Sequence, residues 1–495
     1  MNTINKWSVA LAILVALTGI ATELVQAQVF TTIHAFSGTD GAAPVAPLIQ
    51  ATDGNLYGTT VYGGANGDGT VFKITTSGTL TTVYSFCEQP SGSSYCLDGN
   101  YPTAPVIEAT NGDFYGITGN GGANCENGQQ CGTVFSLTPR GKITTLYSFC
   151  SGVISPDGCL NGEFPGIGLV EAANGDFYGT TTSGGADGYG SVFKITHAGV
   201  LSTEVSFDDT TDGADPNAGL VQATNGFLYG TTSNGAAPFN NGTVFKITEN
   251  GKLTTLLLGF GPSAATLIQA TDGNLYGSTS MLGLGGTIFK ITPGGDPTTL
   301  YDFCSQTNCA DGSRPWSALT QGSDGNFYGV TEQGGVGPCP FGCGTIFKLT
   351  PSGDLTTLYS FCAQGVMPAI CPDGYWPFGL MQATDGNFYG ATAPGGGNGI
   401  NNLGNGTVYR LSVGLGPFVA LQTAFGKVGA TVKILGTRLI GVTSVTFNGT
   451  PATFTVNATR TAITATVPTG ATTGTVSVAT RDAVLSSNKP YTVLE

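Results

Sequence analysis

Charge is scarce in this chain. Only 10% of its 495 residues are Asp, Glu, Lys or Arg, against roughly a quarter in an ordinary globular protein. Yet 40% are hydrophobic, so the deficit does not mark a disordered polyelectrolyte. Basic residues are the scarcer sign. The 17 Lys and Arg stand against 31 Asp and Glu, and a net charge of −14 argues against a nucleic-acid partner. Histidine occurs twice, at His34 and His197, and neither is placed to serve as the base of a Ser or Cys nucleophile. No P-loop or dinucleotide fingerprint occurs. No segment shows a helical apolar period, and after the N-terminus no apolar run is long enough to span a bilayer.

The N-terminus reads as a secretory signal over residues 1–27. Lys6 gives a small positive region, Trp7 to Ala21 an apolar run, and Val25-Gln26-Ala27 a small-residue cleavage site. The run is shorter than the ~20 residues a membrane helix needs. The expected localisation is secreted, periplasmic or cell-surface, with no membrane span after cleavage. Cysteine usage agrees. The twelve cysteines form close sequential pairs: Cys87/Cys96, Cys125/Cys131, Cys150/Cys159, Cys304/Cys309, Cys339/Cys343 and Cys362/Cys371. An even count, local pairing and export together read as disulfides. Cys339-x3-Cys343 taken alone also fits a zinc half-site, but the pairs are scattered and histidines are few, so no metal is expected there.

What the chain has in abundance is repetition. ATDGNLYGTT at Ala51 returns as variants beginning at Ala109, Ala172, Ala223, Ala270, Gly322 and Ala383. The tyrosines Tyr57, Tyr115, Tyr178, Tyr229, Tyr276, Tyr328 and Tyr389 recur every 47 to 63 residues. Each unit holds four strand-like pieces, in the first case APLIQAT, NLYGTT, GTVFKIT and GTLTTVYSF. The Asp/Asn-Gly pair between the first two suits the positive φ angles of a type I′ hairpin turn. The seventh unit lacks its fourth piece, and an orphan copy, VFTTIHAF at 29–36, opens the mature chain. In a ring of four-stranded sheets such a strand completes the last sheet and closes the circle. Residues 28–413 are therefore expected to form a seven-bladed β-propeller.

From residue 414 to 495 the repeat stops and cysteine disappears. Six or seven short strands at sandwich spacing suggest an immunoglobulin-like domain. This segment carries six basic and two acidic residues, while 28–413 carries ten and twenty-eight. The fold class expected is all-β, a propeller followed by a β-sandwich.

These residues bring two resemblances. LIQATDGNLYGTT…GTVFKIT…GxLTTLYSF over 29–412 resembles the GloVer tandem repeat of secreted bacterial proteins, and its propeller character is similar to that of NHL-type repeats. GxxVxIxGTxL, VxFNGTPA, IxAxVPxGAxTGxVxV and a final YTV resemble an IPT/TIG domain. The first resemblance implies secretion and repeat architecture, and brings no reaction. The second implies a spacer or interaction module.

A binding site is expected on the face bearing the long loops, where every proposed disulfide falls. There a pattern Asp/Asn-Gly-x-x-Pro precedes the innermost strand, giving Asp40, Asp98, Asn161, Asp212, Asp311 and Asp373. Ala43, Tyr101, Phe164, Asp215, Arg314 and Trp376 stand before the prolines, and Trp316 follows one. The bland reading gives the acid a turn-capping role and the proline a strand-entry role. The functional reading rings the channel mouth with carboxylates and aromatics, a set suited to sugars or, as the alternative, to Ca²⁺. The site residues proposed are Asp40, Asp98, Tyr101, Phe164, Asp212, Asp311, Arg314, Trp316, Asp373 and Trp376. The function expected is a monomeric, non-enzymatic binding or scaffold protein for a glycan or extracellular protein, without a cofactor. The alternative is a polysaccharide hydrolase or lyase using mouth carboxylates.

Overall fold

A computed structural model of the chain describes residues 28–88, 96–123, 131–150, 154–155, 158–236, 238, 240–258, 265–280, 285–363, 371–395 and 404–494. The expected signal segment, 1–27, lies outside the described residues, as does Cys125.

Seven antiparallel blades follow one another. In the first, Ile49–Gln50, Leu56–Thr60, Thr70–Ile74 and Leu80–Ser85 pair in sequence order. The seventh is assembled from Pro377–Gln382, Phe388–Thr392 and Thr407–Ser412, with Val29–Ala35 as its outer strand. The orphan strand therefore closes the ring, in register from Val29 opposite Ser412 to Ala35 opposite Thr407.

Burial follows from blade stacking. Leu56–Thr60 is buried at every position, and Thr70–Ile74 at every position except Lys73. Both faces of these strands meet neighbours, which is why their sequences lack strict alternation. The repeated tyrosine lies on the second strand, and its ring packs against the next blade: Tyr57 on Phe114, Tyr115 on Phe177, Tyr276 on Phe327 and Tyr328 on Phe388, each with centroids 4.2 Å apart.

The hairpin turn differs from the type I′ expectation. Only the glycine takes positive φ, 84° at Gly54. Asp53 and its six counterparts stay in ordinary regions. Gly54 N–H donates to Ala51 O at 2.9 Å and Ala51 N–H to Asn55 O at 3.0 Å, a tight turn followed by a left-handed glycine. The acid instead accepts from Asn55 N–H at 3.0 Å and from Tyr57 Oη at 3.0 Å. A side-chain oxygen held this way removes the need for a left-handed Asx residue.

A second ring was not read from the sequence. The last residue of each inner strand, before Ala or, in the sixth blade, Gly322, is Gln50, Glu108, Glu171, Gln222, Gln269, Gln321 or Gln382. Each side-chain oxygen accepts a backbone N–H from the preceding blade: Thr384, Thr52, Thr110, Ala173, Thr224, Thr271 and Ser323 respectively, all at 2.7–2.9 Å. The circuit is complete because Gln50 reaches back to the seventh blade.

The C-terminal segment forms two four-stranded sheets. One orders Val419–Leu421, Thr431–Gly436, Ala462–Thr466 and Phe454–Val456; the other Thr450–Pro451, Ser444–Phe447, Val476–Ala479 and Val484–Ser486. Ile434, Phe447, Ile463, Val476 and Val478 are fully buried between them. This Ig-like sandwich sits on the propeller face that carries the Asx-Gly hairpins. Asn457 Nδ2 and Thr461 Oγ1 donate to Thr52 O at 2.9 and 2.6 Å, and Gln422 Nε2 to Glu108 O at 2.7 Å. Thr384 and Thr437 share a hydroxyl contact at 2.7 Å. No helix among the described residues is long and apolar enough to cross a membrane.

Candidate functional site

With one face covered by the sandwich, the opposite face carries the long loops. Five disulfides staple it: Cys87–Cys96, Cys150–Cys159, Cys304–Cys309, Cys339–Cys343 and Cys362–Cys371. These are pairs expected from sequence. Cys131 is also disulfide-bonded. Each group of three possible metal donors among the described residues contains cysteines already in these bridges.

The Asp/Asn-Gly-x-x-Pro aspartates turn into their own loops. Asp98 and Asp311 are fully buried. Asp98 accepts from Tyr84 Oη at 2.6 Å and Glu88 N–H at 3.1 Å. Asp311 accepts from Tyr301 Oη at 2.9 Å and Ser305 N–H at 3.0 Å. Asp373 takes Tyr359 Oη at 2.9 Å and Cys362 N–H at 2.8 Å. Asp40 repeats the arrangement with His34 Nε2 at 2.9 Å and Ser37 N–H at 2.8 Å, since His34 occupies the tyrosine's place in the outer strand. Asn161 likewise meets Tyr147 Oη. Each carboxylate thus clasps the end of the outer strand to the loop that follows.

Asp212 is the exception. Its outer strand has Val205 where the others have Tyr or His, so the ring donor is missing. Burial, then the neighbouring Asp208 carboxylate, push Asp212 up to about 6. Asp208 is also raised by burial, but hydrogen bonds from Thr211 N–H and Oγ1 outweigh this and hold it below the usual range. The two adjacent carboxyls therefore lose their protons in separate steps, Asp208 first and Asp212 later.

The residues before the prolines have a different geometry. Ala43, Tyr101, Phe164, Asp215, Arg314 and Trp376 all take positive φ, between 51° and 58°. The backbone explains it. Arg314 N–H donates to Gly285 O at 2.7 Å, and Arg314 O accepts Glu332 N–H at 3.0 Å. Trp376 N–H donates to Cys343 O at 2.9 Å. The loop is thereby latched to the preceding blade, and the proline seats on that blade's glycine: a Cβ at Gly344 would lie 2.6 Å from Pro377 Cδ. A left-handed L-residue costs roughly 1–2 kcal/mol, yet six different side chains are displayed this way. Tyr101 packs edge-on to Tyr62, which is 52% exposed, and Trp376 edge-on to Tyr375.

In four of the six loops the residue after the proline lines a common cavity. Val45, Thr103, Trp316 and Phe378 line a channel cavity of about 240 Å³, with Pro47, Pro105 and Ile167 among its walls. Trp316 is the one proposed site residue in that lining. Its buried Nε1–H has no hydrogen-bond partner among the described residues. Arg314 lies over the indole at 5.2 Å and pairs with Glu332 Oε2 at 3.5 Å. Burial raises the Glu332 carboxyl, and Arg314 only partly offsets this. Among the proposed residues, then, Arg314 and Trp316 are brought together. The five aspartates do not line the cavity, and Glu332 reaches it only through Arg314. Glu332 was missed because nothing in its local sequence, TEQGG, distinguishes it from the polar residues of other loops.

A closed propeller with a packed sandwich on its turn face and an apolar cavity opening toward its loop face is the class of molecule these features define. The Gloeobacter/Verrucomicrobia repeat matches residues 17–159, 154–265 and 258–463, and the chain belongs to that family. No curated protein sequence matches it. Among solved structures, a fungal alcohol oxidase of the AA5 family in complex with copper is 14% identical, covers 94% of this chain and 99% of its own, and has a TM-score of 0.52. That likeness is one of fold. Weaker likenesses include a gluconolactonase from Xanthomonas campestris (10% identity, 78% of this chain and 90% of that one, TM-score 0.37) and a PQQ-bound aldose sugar dehydrogenase from Streptomyces coelicolor (11%, 78% and 98%, 0.40).

Proposed function

We propose that the loop-face mouth of the channel is a carbohydrate site and that the protein works outside the cytoplasm. The observation that carries the ligand class is Trp316: an indole that lines the cavity with a guanidinium over its ring. An aromatic wall beside a cation matches the apolar faces and hydroxyls of a sugar. Arg314 lies over it, and Trp376, Tyr101 and Phe164 hold the position of Arg314 in the latched loops of other blades. The five bridges support an oxidising compartment.

Turnover at the same mouth is the second reading, and Glu332 favours it. A carboxyl raised by burial beside a sugar platform is suited to donate a proton to a leaving oxygen. The same architecture houses an oxidase in the fungal relative, which is an analogy of fold. The mouth aspartates suit this role less, since their oxygens hold the loops.

Glycan-array screening followed by calorimetry on the mature chain tests both. Binding that drops by about tenfold or more in Trp316→Ala, with melting unchanged, supports the site, since that factor corresponds to one lost favourable contact of ~1.4 kcal/mol. Undiminished binding in that variant sinks it. Release of reducing ends that disappears in Glu332→Gln would replace binding by catalysis as the main activity.

A further inference from the structure

A second cavity lies on the other side of the molecule, between the sandwich and blades four and five. It measures about 270 Å³ and is lined on the propeller side by Gln222, Thr224 and Gln269, and on the sandwich side by Phe425, Thr473 and Lys489. Lys489 Nζ donates to Gln269 O at 3.2 Å. Among the described residues no carboxylate forms an ion pair with it. In a chain so rich in acid and so poor in base, an ammonium left without a counter-charge between two domains is unusual.

The neighbouring hydroxyls are donors with protons to give. Thr473 Oγ1 accepts from Val493 N–H at 3.0 Å, and Thr224 Oγ1 accepts from Gln269 Nε2 at 3.3 Å. A hydroxyl that already accepts turns its own hydrogen elsewhere. An ammonium and two hydroxyls thus border one space, with the Phe425 ring and Pro490 as apolar wall.

We propose that this interdomain cavity binds a small organic carboxylate, held by Lys489 Nζ with the Thr224 and Thr473 hydroxyls and resting its apolar part against Phe425. Desolvation holds the Lys489 amine below its ordinary value, and a bound anion reverses that penalty. The cavity walls come from both domains, so occupancy ties the sandwich to the propeller.

Butyrate and its neutral analogue butyramide test the assignment on the full mature chain, by calorimetric titration and by thermal unfolding. The expected result is millimolar or tighter binding of butyrate with a rise in melting temperature, and none with butyramide. Lys489→Met is expected to weaken butyrate by about tenfold or more, in line with a lost charge-assisted hydrogen bond. Should that variant fail to fold, Thr473→Val keeps the ammonium and is expected to weaken butyrate severalfold. Equal binding of butyrate and butyramide, no binding of butyrate, or butyrate affinity unchanged in the folded variants would each overturn the proposal.

Discussion

The seven repeated tyrosines make the same contact by two chemistries. Tyr57, Tyr276, Tyr328 and Tyr389 donate to Asp53, Asp272, Asp324 and Asp385, at 2.8–3.0 Å. Tyr115, Tyr178 and Tyr229 accept from the amides of Asn111, Asn174 and Asn225, at 2.8–3.0 Å. A phenol both donates and accepts, so either Asp or Asn can meet it. Removing the hydroxyl in Tyr276→Phe should cost ~1 kcal/mol. Asp272→Asn keeps a partner for the phenol but loses a carboxylate that burial raises and the Asn274 and Tyr276 hydrogen bonds hold down, below its ordinary value. It should therefore destabilise at pH 7 and less at pH 3, both variants being read by urea unfolding. The residues before the prolines lead to the opposite expectation. At φ 51°, Trp376 occupies a conformation that glycine adopts more cheaply. Trp376→Gly should leave the melting temperature unchanged or raised and, if the proposed carbohydrate site holds, reduce glycan retention on an affinity column. A marked fall in melting temperature would mean that this side chain serves the fold.

At the level of the loop, aromatic donor and acid behave as a unit. His34 with Asp40, Tyr84 with Asp98, Tyr301 with Asp311 and Tyr359 with Asp373 span 6 to 14 residues. Gly312 shows how close the clasp sits, since a Cβ there would lie 2.5 Å from Thr331 Oγ1. The blade with Val205 lacks the donor, and its acid titrates near 6. A carboxyl whose folded pKa is raised contributes stability that is present below its unfolded pKa, near 4, and is lost as pH rises through the folded value. Asp212→Asn should therefore raise the melting temperature at pH 8 and change it little at pH 4, measured by calorimetry across that range. This pairing was partly legible in the sequence. The motif, its proline and its aromatic neighbours were visible, but the direction of each carboxylate was not. A loop residue can turn to the channel or to its own strand, and only the Tyr or His at a fixed place in YSF, YDF or HAF would have told which. The seven blades, the closing strand and the five described disulfides were readable because each leaves a repeated or adjacent pattern in the chain, whereas the sandwich holds more strands than the six or seven expected. Glu332 and Lys489 depend on contacts between distant segments and left no such pattern.

Across the whole molecule the ring is held by two kinds of closure, and they fail differently. The side-chain circuit from Gln50 to Thr384 contributes one hydrogen bond at the junction, of the order of 1 kcal/mol net. The strand Val29–Ala35 contributes far more. It supplies the outer edge of the seventh blade, and Phe30 stacks on Tyr359 of the sixth blade at 3.9 Å and lies 5.3 Å from Tyr409. Phe36, just beyond the strand, is fully buried and meets Phe72 of the first blade at 5.3 Å. One short segment therefore bridges blades six, seven and one. Without it, Thr407–Ser412 becomes an exposed edge, a template for pairing with other chains. A chain beginning after residue 36 should elute as oligomer or aggregate in size-exclusion chromatography and melt well below a chain that begins at residue 28. A synthetic peptide of residues 28–36 should restore the elution volume of the chain that begins at residue 28, because the register is fixed by a bulge between Thr32 and His34 and by alternating contacts on both faces. If the shortened chain were monomeric and equally stable, the sixth and first blades would have to meet the seventh without a fourth strand, and the closure assigned to Val29–Ala35 would be wrong. If the peptide failed to bind an otherwise folded ring, the closure would be a step of folding that the assembled blades can no longer repeat.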